Sequence, residues 1–82
     1  MKQKNQRSPI GSIPSSLWQC RELLHLFLGD NKFIGIISTN IGNLSLLQGL
    51  HLYDNNLEGQ IPRSIFNCTS LKKLDLSGNR LT

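Results

Sequence analysis

The sequence predicts a solenoid of stacked repeats, each of which carries one short parallel β-strand. Three observations favour this fold class: a spacing of 24 residues that recurs without insertion, leucines that alternate with polar residues, and an asparagine after each alternating segment. A single unit of this kind cannot bury its own leucines, so the units must stack on one another.

The repeat is visible as columns in which every unit holds the same residue type. Asn31, Asn55 and Asn79 form one such column, and glycine, isoleucine and leucine columns share its spacing. The chain therefore divides into a polar, basic tail at 1–10, which we predict to be disordered, and three units at 11–34, 35–58 and 59–82.

Each unit is expected to contribute one strand and one irregular segment. Leu26 and Leu28 alternate with outward-facing residues, which is the period of a β-strand. Pro14 and Pro62 disfavour regular structure in the segment before the strand. We predict short parallel strands near residues 24–28, 48–52 and 72–76, with irregular or 3-10 structure on the other side.

The asparagine and glycine columns predict how each unit turns. An asparagine amide both donates and accepts backbone hydrogen bonds, so Asn31, Asn55 and Asn79 are expected to form a structural ladder along the solenoid. The glycine that opens each unit permits a positive φ.

The units resemble those of a known family. The pattern L-x-x-L-x-L-x-x-N-x-L, present from Leu23, Leu47 and Leu71, resembles the leucine-rich repeat. The G-x-I-P elements that begin at Gly11 and Gly59 look like the plant-specific subclass, whereas the middle unit has Ser38 for proline. The resemblance implies a leucine-rich-repeat solenoid, a right-handed α/β-type superhelix with its short strands on the concave face.

The resemblance also implies a function. It indicates an extracellular protein-recognition module, part of the ligand-binding ectodomain of a plant receptor-like kinase or receptor-like protein. The expected partners are a peptide or protein ligand, or a co-receptor, and the expected location is the extracellular face of the plasma membrane, through a longer parent, or the secreted space. A secreted inhibitor-type binding protein and a truncated gene product without independent function remain alternatives.

Charge and motifs argue against other functional classes. Lys2, Lys4 and Arg7 lie in the tail, and residues 9–82 carry six basic against five acidic side chains, so no basic stripe predicts nucleic-acid binding. Neither a signal peptide nor a run of apolar residues long enough to span a membrane is visible, so no direct membrane contact is expected of this chain.

No catalytic arrangement is visible in the sequence either. It contains no nucleophile–base pair, no phosphate loop and no protein-kinase signature. We therefore expect no enzymatic activity, no catalytic residues and no cofactor in this chain, and a kinase domain would belong to a longer parent.

The outward positions of the strands are the expected ligand contacts. Aromatic residues on a polar surface are typical of recognition sites, although an ordinary solvated face is the alternative. The two histidines lack further ligands, so no metal site is expected, and Asp75 is expected to form a surface ion pair with His51. The candidate ligand-binding residues are His25, Phe27, Asp30, His51, Tyr53, Asp54, Lys73, Asp75 and Arg80.

The two cysteines are expected to be buried and unpaired. Cys20 and Cys68 share a column two units apart, which places them at about 10 Å, beyond the reach of a disulfide. Leu44 fills that column in the middle unit, which indicates an apolar, inward position.

Two glycosylation sequons occupy another column. Asn43-Leu44-Ser45 and Asn67-Cys68-Thr69 both fit N-x-S/T and fall on the side away from the strands. When the chain is secreted through a eukaryotic pathway, Asn43 or Asn67 should carry a glycan, detected as a loss of mass after glycosidase treatment. A Ser45→Ala, Thr69→Ala double variant is the control, and secreted wild-type protein with no glycosidase-sensitive mass would contradict the prediction.

Overall fold

The computed structural model describes residues 11–82, which form three stacked coils. The predicted tail, 1–10, lies outside the described residues. We refer to 11–34, 35–58 and 59–82 as the first, middle and third coils. The elements in chain order are η1 (Ser15–Gln19), β1 (His25–Phe27), β2 (Ile34–Gly35), η2 (Thr39–Asn43), β3 (Gly49–His51), β4 (Asn56–Gly59), η3 (Arg63–Asn67), β5 (Lys73–Asp75) and β6 (Arg80–Leu81).

The concave face is a parallel sheet in the order β1-β3-β5. Leu26 pairs with Leu50, which pairs with Leu74, so the leucine column is in register across all three strands. The predicted short parallel strands and the leucine-rich-repeat fold are thereby confirmed. The hydrogen bonding continues past the strands, since the N–H of Leu28 donates to the carbonyl of His51 at 2.9 Å.

A second parallel sheet, β2-β4-β6, follows the asparagine turns and was not predicted. Its strands have two, four and two residues, and an isolated bridge joins Ser12 to Ile34. Segments this short contain too few residues to display an alternating pattern. Gly35 and Gly59 lie in this sheet with φ of 88° and 81°, as expected of glycines that open a coil.

The convex side consists of the three 3-10 helices, as predicted. Pro14 and Pro62 precede η1 and η3 in extended conformations with φ of −58° and −67°. In the middle coil, the hydroxyl of Ser38 instead accepts a hydrogen bond from the N–H of Asn40 at 3.0 Å. A side-chain cap therefore stands where the other coils have proline, and the helix is retained.

The core lies between the two sheets and the helices, and it is deepest in the middle coil. Leu50 is wholly buried, whereas Leu74, in the same column of the third coil, is 47% exposed. Leu26 of the first coil is also buried, so burial in this column depends on the coil that follows, which Leu74 lacks among the described residues. The largest fully buried side chains all belong to the middle coil: Ile37, Ile41, Leu44, Leu47, Leu50, Leu52 and Leu57.

The expectation that both cysteines are buried is wrong for Cys20. Cys68 is buried, and its thiol donates to the carbonyl of Ile41 in the coil beside it at 3.3 Å. Burial raises the pKa of the Cys68 thiol. Cys20 is exposed because no other coil among residues 11–82 covers that side of η1.

The asparagine column connects neighbouring coils through backbone groups. The amide nitrogen of Asn55 donates to the carbonyls of Leu52 and Tyr53 in its own coil, at 3.0 and 3.1 Å, and to that of Leu28 at 3.0 Å. Its oxygen accepts from the N–H of Phe33 at 3.1 Å. This one buried side chain therefore satisfies four backbone groups, two of them in the first coil.

Asn79 repeats the arrangement one coil further along. It donates to the carbonyls of Leu52, Leu76 and Ser77 at 2.9, 3.1 and 3.2 Å, and accepts from the N–H of Leu57 at 3.0 Å. Asn31 is exposed and donates within its own coil, to Leu28 and Gly29 at 2.9 and 3.1 Å.

Truncation in the leucine column should cost stability in proportion to burial. Leu50→Ala leaves a cavity and should lower the free energy of unfolding by about 2–5 kcal/mol. Leu74→Ala is the matched control and should cost less than half as much, because its side chain is half exposed. Urea denaturation of the chain in a stabilising osmolyte measures both, and equal losses would contradict coil stacking as the source of burial.

The asparagine contacts give an independent prediction. Asn55→Ala leaves buried backbone groups without partners and should destabilise the chain by about 2–3 kcal/mol. Asn31→Ala, at the same column position but exposed and bonded within one coil, should cost under about 1 kcal/mol. The same denaturation experiment tests this, and it fails if the two variants are equally stable.

Candidate functional site

The outward side chains of the concave sheet form two columns. His25, Gly49 and Lys73 share one column, and Phe27, His51 and Asp75 share the other. Phe27 is 69% exposed although it is a large apolar residue. A large apolar side chain is thus exposed on a face that is otherwise polar.

Three rings stack along this face. The ring centroids of His25 and Phe27 lie 5.7 Å apart with an interplanar angle of 13°. Those of Phe27 and His51 lie 4.8 Å apart at 19°. Offset stacking at such separations is favourable, so the neighbouring imidazoles hold the exposed ring in position.

A cleft of about 430 Å³ opens beside these rings. Its floor is Gly49, where an added Cβ would lie 2.9 Å from Nδ1 of His25 and 3.3 Å from Nε2 of His51. Gly49 is buried, so the two imidazoles cover its bare backbone. The cleft is lined by His25, Phe27, Gln48, Gly49, His51, Lys72 and Lys73. Gly49, Gln48 and Lys72 were not among the ligand-binding residues predicted from the sequence.

Tyr53 lies further along the face and packs over Gly29. A Cβ on Gly29 would overlap the tyrosine ring, so the ring covers the bare backbone of the neighbouring coil. Tyr53 is accordingly half-buried. The Phe27 side chain, in contrast, is mostly exposed.

The acidic and basic candidates do not form one cluster. Asp30 and Asp54 occupy left-handed positions with φ of 59° and 53°, so their backbones build the turns. Arg80 lies in β6 of the second sheet, opposite Glu58, and not on the concave face where it was expected. The chain turns before Arg80, and the alternation of the preceding strand does not extend through that turn.

Asp75 is held by its own turn. Its carboxylate accepts hydrogen bonds from the N–H and hydroxyl of Ser77 at 3.1 and 2.6 Å. These bonds, and to a lesser extent the charge of His51, lower the pKa of Asp75. Ser77 is therefore the main partner of this carboxylate, in place of the expected pair with His51.

The sequon asparagines both end convex-side helices but differ in exposure. Asn43 is half-buried, and its amide nitrogen donates to the carbonyl of Trp18 at 3.4 Å. Asn67 is exposed, with its amide nitrogen near the bare Gly42.

Within residues 11–82, no three histidine, cysteine or acidic side chains come together as a possible metal site. No helix in this described part of the chain has the length and hydropathy needed to cross a membrane.

Comparisons with known proteins agree with this architecture. The family model described as "Leucine rich repeat" matches residues 21–81. No curated protein matches the chain at a significant level.

Several solved structures are similar to the chain. The BIR3–SERK2 complex from Arabidopsis thaliana contains a chain that is 39% identical, with a TM-score of 0.85, over 89% of this chain and 39% of that one. The leucine-rich-repeat ectodomain of the plant membrane receptor kinase GASSHO1/SCHENGEN3 from Arabidopsis thaliana, in complex with CASPARIAN STRIP INTEGRITY FACTOR 2, is 40% identical, with a TM-score of 0.84, over 88% and 9%.

A third similar structure is the Arabidopsis receptor kinase HAESA with the peptide hormone IDA and the co-receptor SERK1. The match is 36% identical, with a TM-score of 0.84, and covers 88% of this chain and 12% of that one. The chain thus spans well under half the length of these relatives. The resemblance to plant receptor repeats is confirmed, and the match over residues 21–81 shows that this chain belongs to the leucine-rich repeat family.

Proposed function

We propose that these coils are a non-enzymatic recognition module in the extracellular, ligand-binding region of a plant receptor-like kinase or receptor-like protein. The module binds a peptide or protein ligand, or a co-receptor, on its concave face. The observation that carries the proposal is Phe27, an apolar ring that stands 69% exposed between two stacked imidazoles.

An exposed ring of this kind is a suitable anchor for a partner. A free aromatic side chain in water contributes nothing to the core, whereas a partner that covers it gains its apolar area. Stacking on His25 and His51 restricts the ring before binding, so less side-chain entropy is lost in the complex. Tyr53, Lys73 and Asp75 then supply polar contacts around the anchor.

The printed partners of the similar structures support the class of ligand. HAESA is in complex with a peptide hormone and a co-receptor, and the ectodomain of the membrane receptor kinase GASSHO1/SCHENGEN3 is in complex with CASPARIAN STRIP INTEGRITY FACTOR 2. By analogy, the three coils contribute a section of a longer concave surface outside the cell. Catalysis by the parent protein would reside in another domain.

Glycosylation belongs to the same proposal, with Asn67 as the favoured site. Its side chain is exposed on the convex side and lies over a glycine, so a glycan there points away from the concave sheet. Asn43 is half-buried against the first coil.

Removal of the anchor should weaken binding without loss of the fold. In the secreted ectodomain that contains these coils, with a ligand obtained by screening a peptide library against it, Phe27→Ala should raise Kd at least about tenfold, because truncation of an aromatic anchor commonly costs about 2 kcal/mol. Phe66→Ala is the matched control: Phe66 is 82% exposed but lies in η3 on the convex side, and its removal should leave Kd unchanged.

Tyr53→Ala should also raise Kd about tenfold, but its thermal stability must be measured beside it because the ring covers Gly29. Unchanged affinity in both concave-face variants would place the ligand on other coils and would refute this function for the three described here.

A further inference from the structure

Gly49 occupies the bare corner of a square of four positions on the concave sheet. His25 and Phe27 lie two residues apart in β1, and Gly49 and His51 face them in register in β3. The other three corners carry rings, and two of these rings lean over the glycine. Nδ1 of His25 and Nε2 of His51 lie 2.9 and 3.3 Å from the position of a Cβ on Gly49. Gly49 is accordingly buried.

The backbone does not explain a glycine at this position. Among residues 11–82, the glycines with a positive φ are Gly35, Gly59 and Gly78, so the φ of Gly49 lies in the range open to other residues. Glycine weakens the interior of a strand, because it has no side chain to pack and loses more conformational freedom on folding. A glycine there often marks the close approach of another group, and over Gly49 the approaching groups are the two imidazoles.

A side chain at this position would displace a ring and leave the backbone in place. The atom nearest to an added Cβ is Nδ1 of His25, which belongs to an exposed side chain that can rotate into solvent. The His51 imidazole would have to move less, because its Nε2 is further from the same point. The strand therefore tolerates a larger residue in place of Gly49, but the arrangement of the imidazoles does not.

The imidazoles that cover the glycine are the ones that stack with Phe27. Their ring centroids lie 5.7 Å (His25) and 4.8 Å (His51) from that of the Phe27 ring. If both imidazoles are displaced, the ring loses its neighbours and gains rotational freedom, since 69% of its residue surface is already exposed. A partner that contacts the ring must then restrict it on binding, at a cost in affinity.

We propose that Gly49 is a positioning residue of the concave binding face. By leaving room for the imidazoles of His25 and His51, it holds the Phe27 ring in the arrangement that a partner contacts. Gly49 itself touches no partner in this role and acts through the rings. The inference rests on the proposed function and adds a residue that keeps its aromatic anchor ordered before binding.

NMR of the 82-residue chain without a partner tests the arrangement of the rings. In a stabilising osmolyte and at one fixed pH, the wild type should show nuclear Overhauser contacts from the Phe27 ring protons to the imidazole protons of His25 and His51. Gly49→Ala should weaken the His25 contacts first, because Nδ1 of that ring is nearest to the new methyl group. Gly49→Val, with a larger side chain that strands favour, should remove the contacts to both imidazoles.

Affinity tests whether the arrangement matters for binding. The probe is the library peptide selected on the wild-type ectodomain. Gly49→Ala should raise its Kd about threefold and Gly49→Val about five- to tenfold, the range expected when binding must immobilise one more side chain. In the Phe27→Ala background, the same two substitutions should change Kd by less than about twofold, because no ring is left to position. A side chain at residue 49 that blocked the peptide directly would weaken binding in both backgrounds.

Gly11→Ala is the matched control, since nothing lies within 4 Å of an added Cβ there, and it should change neither the ring contacts nor Kd. Urea denaturation should show Gly49→Ala to be about as stable as the wild type. Loss of stability as large as that of Leu50→Ala, unchanged ring contacts in Gly49→Val, or equal effects on Kd in both backgrounds would each overturn the positioning role. If Phe27→Ala alone still weakens binding, the recognition function stands without it. If Phe27→Ala has no effect, the function and the positioning role fail together.

Discussion

The structure depends on one recurrent interaction, the asparagine side chain that satisfies backbone groups of two coils at once. At Asn55 and Asn79 the amide closes its own turn and also bonds a carbonyl and an N–H of the preceding coil. No apolar residue could do this, because the turn leaves backbone polar groups that the interior cannot leave unpaired. The position of the asparagine therefore fixes where each strand stops and how far one coil is displaced from the next.

Once the turns are fixed in this way, the burial of the leucines follows from the stacking of the coils. In the leucine column of the concave strands, Leu26 and Leu50 have a following coil and are buried, whereas Leu74 has none among the described residues and is half exposed. The cysteine column depends on the preceding coil instead: Cys68 packs against Ile41 of the middle coil, whereas no coil precedes Cys20 among residues 11–82. Stability in such a fold is close to a sum over interfaces between coils, and a residue's contribution is set by its coil as much as by its type.

The periodic part of this molecule could be predicted from sequence, and the aperiodic part could not. Leucine alternation gave the concave strands, and proline gave the 3-10 helices. The second sheet was not predicted because strands of two to four residues are too short to display a period. Arg80 was predicted on the wrong face because the alternation was extended through a turn. The stacked rings were not predicted for a different reason: the stack joins Phe27 to His51 of a different strand and becomes visible only when the coils are placed side by side.

Two glycines on the concave face are each covered by a ring from a neighbouring coil. The Tyr53 ring lies over Gly29, and the His25 imidazole lies over Gly49, which is buried. Because strand alternation points the core leucines inward, such choices on the outer face change little of the packing that holds the coils together. A solenoid can therefore vary the shape and charge of its outer face from coil to coil while the asparagine and leucine columns stay the same. In this chain, that freedom produces three stacked rings beside a cleft that Lys72 and Lys73 line.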